Sequence, residues 1–414
     1  MRSPILRVAP LALLTSLSFA QSEGGPAEGH DDLWKAIESG RTWIDLRHRY
    51  EFADIDGFAN DADASTLRTA LGYETGRYKG FRGLLEFEAI SIIGDNNFNS
   101  TTNGVTDHPV VADPEGSEIN QVYVAYDGFE GVDVRLGRQE ISLDNDRFIG
   151  AVPWRQNHQS FDGLRVIAKD VGGVKIDYSA VSNVNRIFGD RSARGNELLN
   201  GHFANVSTDL GSVGRGTVYG YLVDFNDTQV LSTNTFGARV VGKHDVGSGN
   251  VGYVVEAAQQ TDAFSNPVDV DADYLHLELN GSIEKFNVRI ASETLGGSGD
   301  VGDKFSTPFA TLHAFNGFAD VFLNTPDGGL VDQFVTVSRP IAVGGLPGPI
   351  KLRASYHVFT SDAGSLDYGT ELDLDAVIPL TDRAKLGLRY ADFDADDAFA
   401  DTTRFMAWLH VRVL

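Results

Sequence analysis

Arg147, Arg155, Gln156, Asn157, Gln159 and Asp162 fall within one short run of the chain, with Trp154 among them. Guanidinium forks beside neutral amides and a carboxylate suit an active site, a phosphate site or the narrow part of a pore, since arginine presents paired donors to carboxylate or phosphate. His158 beside Ser160 and Asp162 is the one local grouping with the residue types of a Ser/His/Asp site, and it reads in preference as polar loop residues bonding their own backbone. No GxSxG, Walker A or HExxH pattern occurs. Two GxGxxG matches, "GSGNVG" (Gly247 to Gly252) and "GSGDVG" (Gly297 to Gly302), lack the strand-then-helix context that gives this fingerprint its meaning. The first reads as a hairpin turn and the second as loop. The acidic runs "VDVDAD" (Val268 to Asp273) and "FDADDAFAD" (Phe393 to Asp401) lack the glycine and distal glutamate of an EF-hand loop and read as solvated loops. No metal and no cofactor is expected. With no cysteine, a disulfide framework and thiolate chemistry are excluded.

The elements that must position these residues begin after an export signal. Arg2 and Arg7 flank the start of an apolar run that is too short for a spanning helix, and Ser18 and Ala20 are small residues at signal-peptidase spacing. Residues 1–20 therefore read as a signal peptide cleaved after Ala20. Its loss would take the formal charge from −24 to −26, which argues against a nucleic-acid partner. No later stretch is long and apolar enough for a transmembrane helix, and no linker or low-complexity block divides the chain, so one large closed architecture is expected.

The dominant period is two. In "WIDLRHRYEF" (Trp43 to Phe52), Ile44, Leu46, Tyr50 and Phe52 alternate with Asp45, Arg47, Arg49 and Glu51, the pattern of a strand with one apolar and one polar face. About eighteen such strands are read, from 42–53 to 402–413, an even number in the range of outer-membrane barrels. Short turns such as "YDGFEG", "DVGSGN" and "PLTDR" alternate with long polar connections at 93–116, 143–159, 185–198, 295–329 and 394–401. Short periplasmic turns opposite long extracellular loops mark an all-β transmembrane antiparallel barrel over 42–414, preceded by a periplasmic segment over 21–41. In that segment "DDLWKAIESG" (Asp31 to Gly40) reads as a short helix capped by Asp31 or Asp32, a tether rather than a plug. Trp43, Tyr50, Phe52, Tyr73, Phe81, Tyr178 and Phe405 stand near strand ends and suit interfacial girdles.

Alternation points Arg47, Arg49, Arg68, Arg135, Arg239, Arg289, Arg353 and Arg389 to the polar face, which in a barrel is the lumen. A guanidinium facing lipid at mid-bilayer would cost roughly 2 to 4 kcal/mol. Glu86, Glu88, Asp133, Asp177, Glu256, Glu293, Glu371, Asp373 and Asp375 share that face, so the lumen is mixed in sign. If the last hairpins pair symmetrically, Arg353 falls opposite Asp375 and Asp373 opposite Arg389, as an ion-paired ladder or a polarised wall for a solute.

The chain resembles the bacterial alginate export family of outer-membrane porins over nearly the whole mature sequence. The resemblance is carried by "WIDLRHRYEFADIDG", "STLRTALGYETG", "EINQVYVAY", "LGRQEISLDNDRFIGAVPWRQNHQSFDG", "STNTFGARVVG" and "TPFATLHAFNGFADVFLNTPDGGLVD" in that order. It implies an eighteen-stranded barrel in a Gram-negative outer membrane, acting as a passive channel for hydrophilic, anionic or saccharide-like solutes and not as an enzyme. A dedicated polysaccharide exporter is the nearest alternative, and an outer-membrane hydrolase or an adhesin are the alternatives of another class. Expected partners are outer-membrane lipid, lipopolysaccharide, the solute and the barrel assembly machinery. On this reading residues 143–159 form the third outer loop and fold inward. Arg147, Arg155, Gln156, Asn157, Gln159 and Asp162 then line the narrowest part, and the loop containing "TLHAFNGFADVF" is a second capping element.

Overall fold

The computed structural model describes residues 29–413, so the signal peptide and its cleavage site fall outside the described residues. Eighteen antiparallel strands close into a barrel. They are β1 (Arg41–Ile55), β2 (Ala62–Glu74), β3 (Phe81–Ile92), β4 (Gly116–Tyr126), β5 (Val132–Gln139), β6 (Ser160–Ala168), β7 (Val174–Asn185), β8 (Asn196–Asp209) and β9 (Arg215–Phe225). They continue as β10 (Thr233–Val246), β11 (Gly249–Asp262), β12 (Asp271–Ile283), β13 (Phe286–Leu295), β14 (Leu330–Ile341), β15 (Ile350–Thr360), β16 (Asp367–Thr381), β17 (Ala384–Ala395) and β18 (Thr402–Arg412). Each strand pairs with its neighbours in sequence, and β18 returns to β1 with Val411 opposite Leu46 and Phe405 opposite Phe52. Closure removes the free edge that an open sheet would expose to lipid.

One rim carries short turns, among them 247–248, 284–285 and 382–383, and the other carries the long loops 93–115, 140–159 and 296–329. The first GxGxxG match is thus a two-residue hairpin turn, with Gly247 in the left-handed region at φ 59° where a side chain would be strained. The faces are inverted relative to a soluble protein. Leu136, Val218, Phe236, Leu279 and Ile290 are exposed outward, whereas Arg49, Glu51, Glu256, Glu293 and Asp332 are buried inward. Lipid on one side and polar partners on the other require this inversion.

The extracellular half of the lumen is filled. Phe148 from loop 140–159 and Phe305 and Phe309 from loop 296–329 pack with Phe161, Phe203, Tyr219, Tyr221, Phe225 and Tyr274 of the inner wall. Phe148 meets Tyr274 edge-on at 5.1 Å, and Phe309 lies 5.4 Å from Phe225. This is an apolar core enclosed by a barrel, where each large aromatic removes much area from water.

At the opposite rim, helix α1 (Leu33–Glu38) is capped by Asp32, whose side chain accepts from Lys35 N at 3.0 Å. Gly76 N donates to Ala36 O at 2.8 Å, and the two-residue strands Gly29–His30 and Arg77–Tyr78 pair in parallel. The segment therefore ties itself to the first periplasmic turn, as a tether would. Two expectations need correction. Trp43 sits on the lumen side of β1 and donates to Glu86 at 2.8 Å, because odd positions of that strand point inward. Arg389 registers with Asp375 rather than Asp373, because the turn at 382–383 is tight and a bulge follows Pro379.

Candidate pore constriction and vestibule

Loop 140–159 leaves β5 and enters the lumen, where it pairs with loop 296–329 through a parallel bridge between Ile149 and Phe309. Gly150 N donates to Phe309 O at 2.9 Å, and the Gln159 amide donates to Gly150 O and Phe309 O at 2.9 and 3.1 Å. Val152 holds φ 52°, a conformation a β-branched residue rarely adopts, so the tip of this loop is over-determined by its surroundings. In the second loop Gly317 holds φ 85°, and a Cβ there would lie 2.2 Å from Glu371 Oε2. That close approach lets the Ala319 amide reach Glu371 at 2.8 Å and the Phe318 amide reach Asp373 at 3.3 Å.

The inward fold of 140–159 agrees with the expectation, but the arginines are not free donors. Arg147 donates to both Glu293 oxygens at 2.8 and 3.1 Å and to Asn316 at 3.0 Å, and it is 1% exposed. Tyr274 completes Glu293 at 2.7 Å. Arg155 reaches Asp320 at 2.8 Å and Glu51 at 3.4 Å, while Glu51 also accepts from Arg404 at 2.7 Å and from Arg49. One carboxylate of β1 thus joins a wall arginine, a loop arginine and an arginine of the last strand. Removing one partner from so dry a group would leave an uncompensated buried charge.

Arg47 spends its donors on Gln156 Oε1 at 2.9 Å and on the carbonyls of Pro153 and Arg155. Gln156 returns donors to Arg47 O and Thr66 O. Arg68 is held by Glu88 at 2.8 Å and Asp45 at 3.4 Å. Trp154 stacks on His313 at 4.1 Å, with Arg49 and Arg389 over its ring at 4.2 and 4.6 Å. His313 Nδ1 donates to Asp320 at 2.6 Å, which leaves Nε2 to accept from Arg389 at 2.5 Å. That pattern fixes a neutral imidazole. Burial lowers its pKa to about 4 against the opposing pull of Asp320. Burial also raises the Asp320 carboxyl, but His313, Arg155 and Arg404 outweigh it and hold the group well below the usual carboxylate range.

Asp162 lies outside the lumen. It registers with Arg138 on the face of Leu136 and Leu164, which is the outward face, and accepts from Arg138 at 2.8 and 3.2 Å. The chain re-enters a strand at Ser160, so parity decides where Asp162 points. His158 pairs instead with Glu140 at 2.8 Å, and the sequence-adjacent Ser/His/Asp grouping is not assembled.

The remaining strand arginines do face the lumen. Arg135 pairs with Asp133 at 2.6 Å, Arg239 with Glu256, Arg289 with Glu278 at 2.6 Å, and both Arg353 and Arg389 with Asp375 at 3.7 and 2.9 Å. A different set was missed. Arg215, Lys243 and Lys351 stand on inward positions at the periplasmic ends of β9, β10 and β15, all exposed and in no ion pair among the described residues, with Asp209 opposite Arg215 in the register. Lys175 joins them, with its ammonium 3.9 Å from Asp177 and its side chain 46% exposed. Strand parity alone could have found them. The lumen is therefore closely packed and ion-paired in much of its extracellular half, while its periplasmic half carries exposed cations, Arg215, Lys243 and Lys351, that enter no ion pair among the described residues.

A sequence model of the family described as alginate export matches residues 42–273. No curated protein matches the sequence. Among solved structures, the chain is similar to OccK9 (OpdG) of Pseudomonas aeruginosa, with a TM-score of 0.69 at 14% identity, covering 91% of this chain and all of that one. OpdQ of the same species follows at 0.67 and 14%, covering 90% and 98%. OccAB4 of Acinetobacter baumannii gives 0.65 at 12%, covering 90% and 97%. At such identities the likeness speaks for the barrel fold.

Proposed function

The chain belongs to the alginate export family and is an outer-membrane channel of a Gram-negative cell, and we propose that it passes hydrophilic anionic solutes of the uronate class, recruited at the periplasmic vestibule. The carrying observation is the exposed, inward set of Arg215, Lys243 and Lys351, in no ion pair among the described residues, with the half-exposed Lys175 beside Asp177. Charges lining a water-filled cleft raise the local concentration of counter-ions, and weak, distributed contacts allow a solute to leave again. Arg47, Arg49, Arg68, Arg135, Arg147, Arg155, Gln156, Gln159, Arg239, Arg289, Arg353, Asp373 and Arg389 act on this reading mainly by shaping the passage. Their partners already hold them. Transport then needs no covalent step, and the protein works with the barrel assembly machinery and not as a hydrolase.

The filled extracellular half favours a second reading, a plugged barrel serving surface binding. Planar-bilayer recording under a salt gradient separates the two. The expected result is stepwise conductance with an anion-selective reversal potential and block by uronate oligomers added on the periplasmic side, not by neutral oligosaccharides. Steps indifferent to both oligomers would reduce the proposal to a general porin. A complete absence of steps would select the plugged barrel.

A further inference from the structure

The lipid-facing wall holds an anomaly independent of transport. By strand parity, only two of the lysines and arginines in the eighteen strands point outward, Arg138 and Arg339. Arg138 is neutralised by Asp162 through two hydrogen bonds. Arg339 is exposed, has no carboxylate partner among the described residues, and rests with its guanidinium 5.0 Å over the ring of Phe286. It stands two residues before the periplasmic end of β14, roughly 7 Å of strand from the rim, within reach of the headgroup layer for a long side chain.

Beside it runs an outward groove of about 520 Å³ across β13 to β18. The register sets Arg339 opposite Leu352, Leu352 opposite Ala376 and Ala376 opposite Leu388, with the row Val337, Ala354, Leu374, Tyr390 and Phe405 above it. Ala354 and Ala376 make the floor shallow, and Phe286, Tyr390 and Phe405 rise around it. An apolar trough ending at an unpaired cation matches an acyl chain joined to a phosphate. We propose that this groove and Arg339 form a binding site for a glycerophospholipid of the periplasmic leaflet, whose phosphate accepts from the Arg339 guanidinium. A guanidinium at a hydrocarbon boundary gains from such an anion because the charge-assisted bond is strengthened where water is scarce.

Native mass spectrometry of the full chain in detergent, titrated with phosphatidylglycerol, diacylglycerol and glycerol phosphate, tests the site. Wild type should retain phosphatidylglycerol, hold diacylglycerol about tenfold more weakly, and show no adduct with glycerol phosphate. Arg339→Ala should lose that tenfold preference, and Ala376→Phe, which fills the floor, should lower retention of both lipids while leaving conductance intact. Equal phosphatidylglycerol retention by wild type and Arg339→Ala overturns the proposal. So does a glycerol phosphate adduct as strong as the lipid's, which would mean a free-phosphate site, or a dimer lost on Arg339→Ala, which would give the groove to a second copy of the chain. None of these readouts depends on which solute crosses the lumen.

Discussion

The two halves of the lumen use the same side chains for opposite purposes. In the extracellular half, Arg49, Arg147, Arg155 and Arg404 are buried and each meets a carboxylate, with Phe148, Phe305 and Phe309 packed beside them. In the periplasmic half, Arg215, Lys243 and Lys351 are exposed and enter no ion pair among the described residues. A guanidinium whose donors are all taken fixes a loop, and an ammonium in water remains available to a passing anion. An inventory of inward arginines therefore says little about selectivity until their partners are known.

The sharpest break of this contrast is Glu51→Ala. It strips the carboxylate shared by Arg49, Arg155 and Arg404, and loss of one side of so buried a network is expected to cost about 3 to 5 kcal/mol. A large fall in the thermal midpoint in detergent, with noisier and larger current steps, is the expected outcome, and an unchanged midpoint would remove the structural role. Next in size, replacing Arg215, Lys243 and Lys351 together by Gln should lower the anion-to-cation permeability ratio severalfold while stability stays within about 0.5 kcal/mol per site. If selectivity holds, the vestibule is not where ions are sorted.

The pH response comes third. The folded pKa of His313 lies near 4, below the ordinary 6.5, so the folded state binds fewer protons than the unfolded state between those values. Stability should therefore be complete above about pH 6.5 and fall as pH drops toward 4, with the Asp320 contribution lost only at lower pH. Melts from pH 7 to 4 on wild type and His313→Gln check this, since the variant's curve should be flatter in that window. The smallest effect is expected from Asp162→Asn, which faces outward and should leave conductance and selectivity unchanged. A clear selectivity change there would put Asp162 back in the pore.

Much of the barrel was legible because a strand exposed to lipid on one face writes its period directly into the sequence, as in Trp43 to Phe52. The inward direction of Arg47, Arg239 and Arg389 followed from that parity. What the loops do was harder to read. Arg147 finds Glu293 from 146 residues away, and no local pattern announces such a partner. Asp162 was misplaced because it looks like the end of a polar loop while obeying the parity of a strand that starts two residues earlier. The run "TLHAFNGFADVF" showed its aromatics, but their burial inside the barrel depends on the facing wall. Register between β16 and β17 differs by two residues because the turn is tighter than symmetric pairing assumes.

Glu51 lies on the first strand and Arg404 on the last, 353 residues apart, and they meet at the seam where the sheet joins itself. Arg155 and Asp320 reach the same point from two loops made in between. Closure of the wall and docking of both loops thus converge on one small group of charges. A barrel whose loops stayed outside would still hold Glu51 between Arg49 and Arg404 but would lack Arg155 and Asp320, so the join between first and last strand is completed by the contents of the lumen.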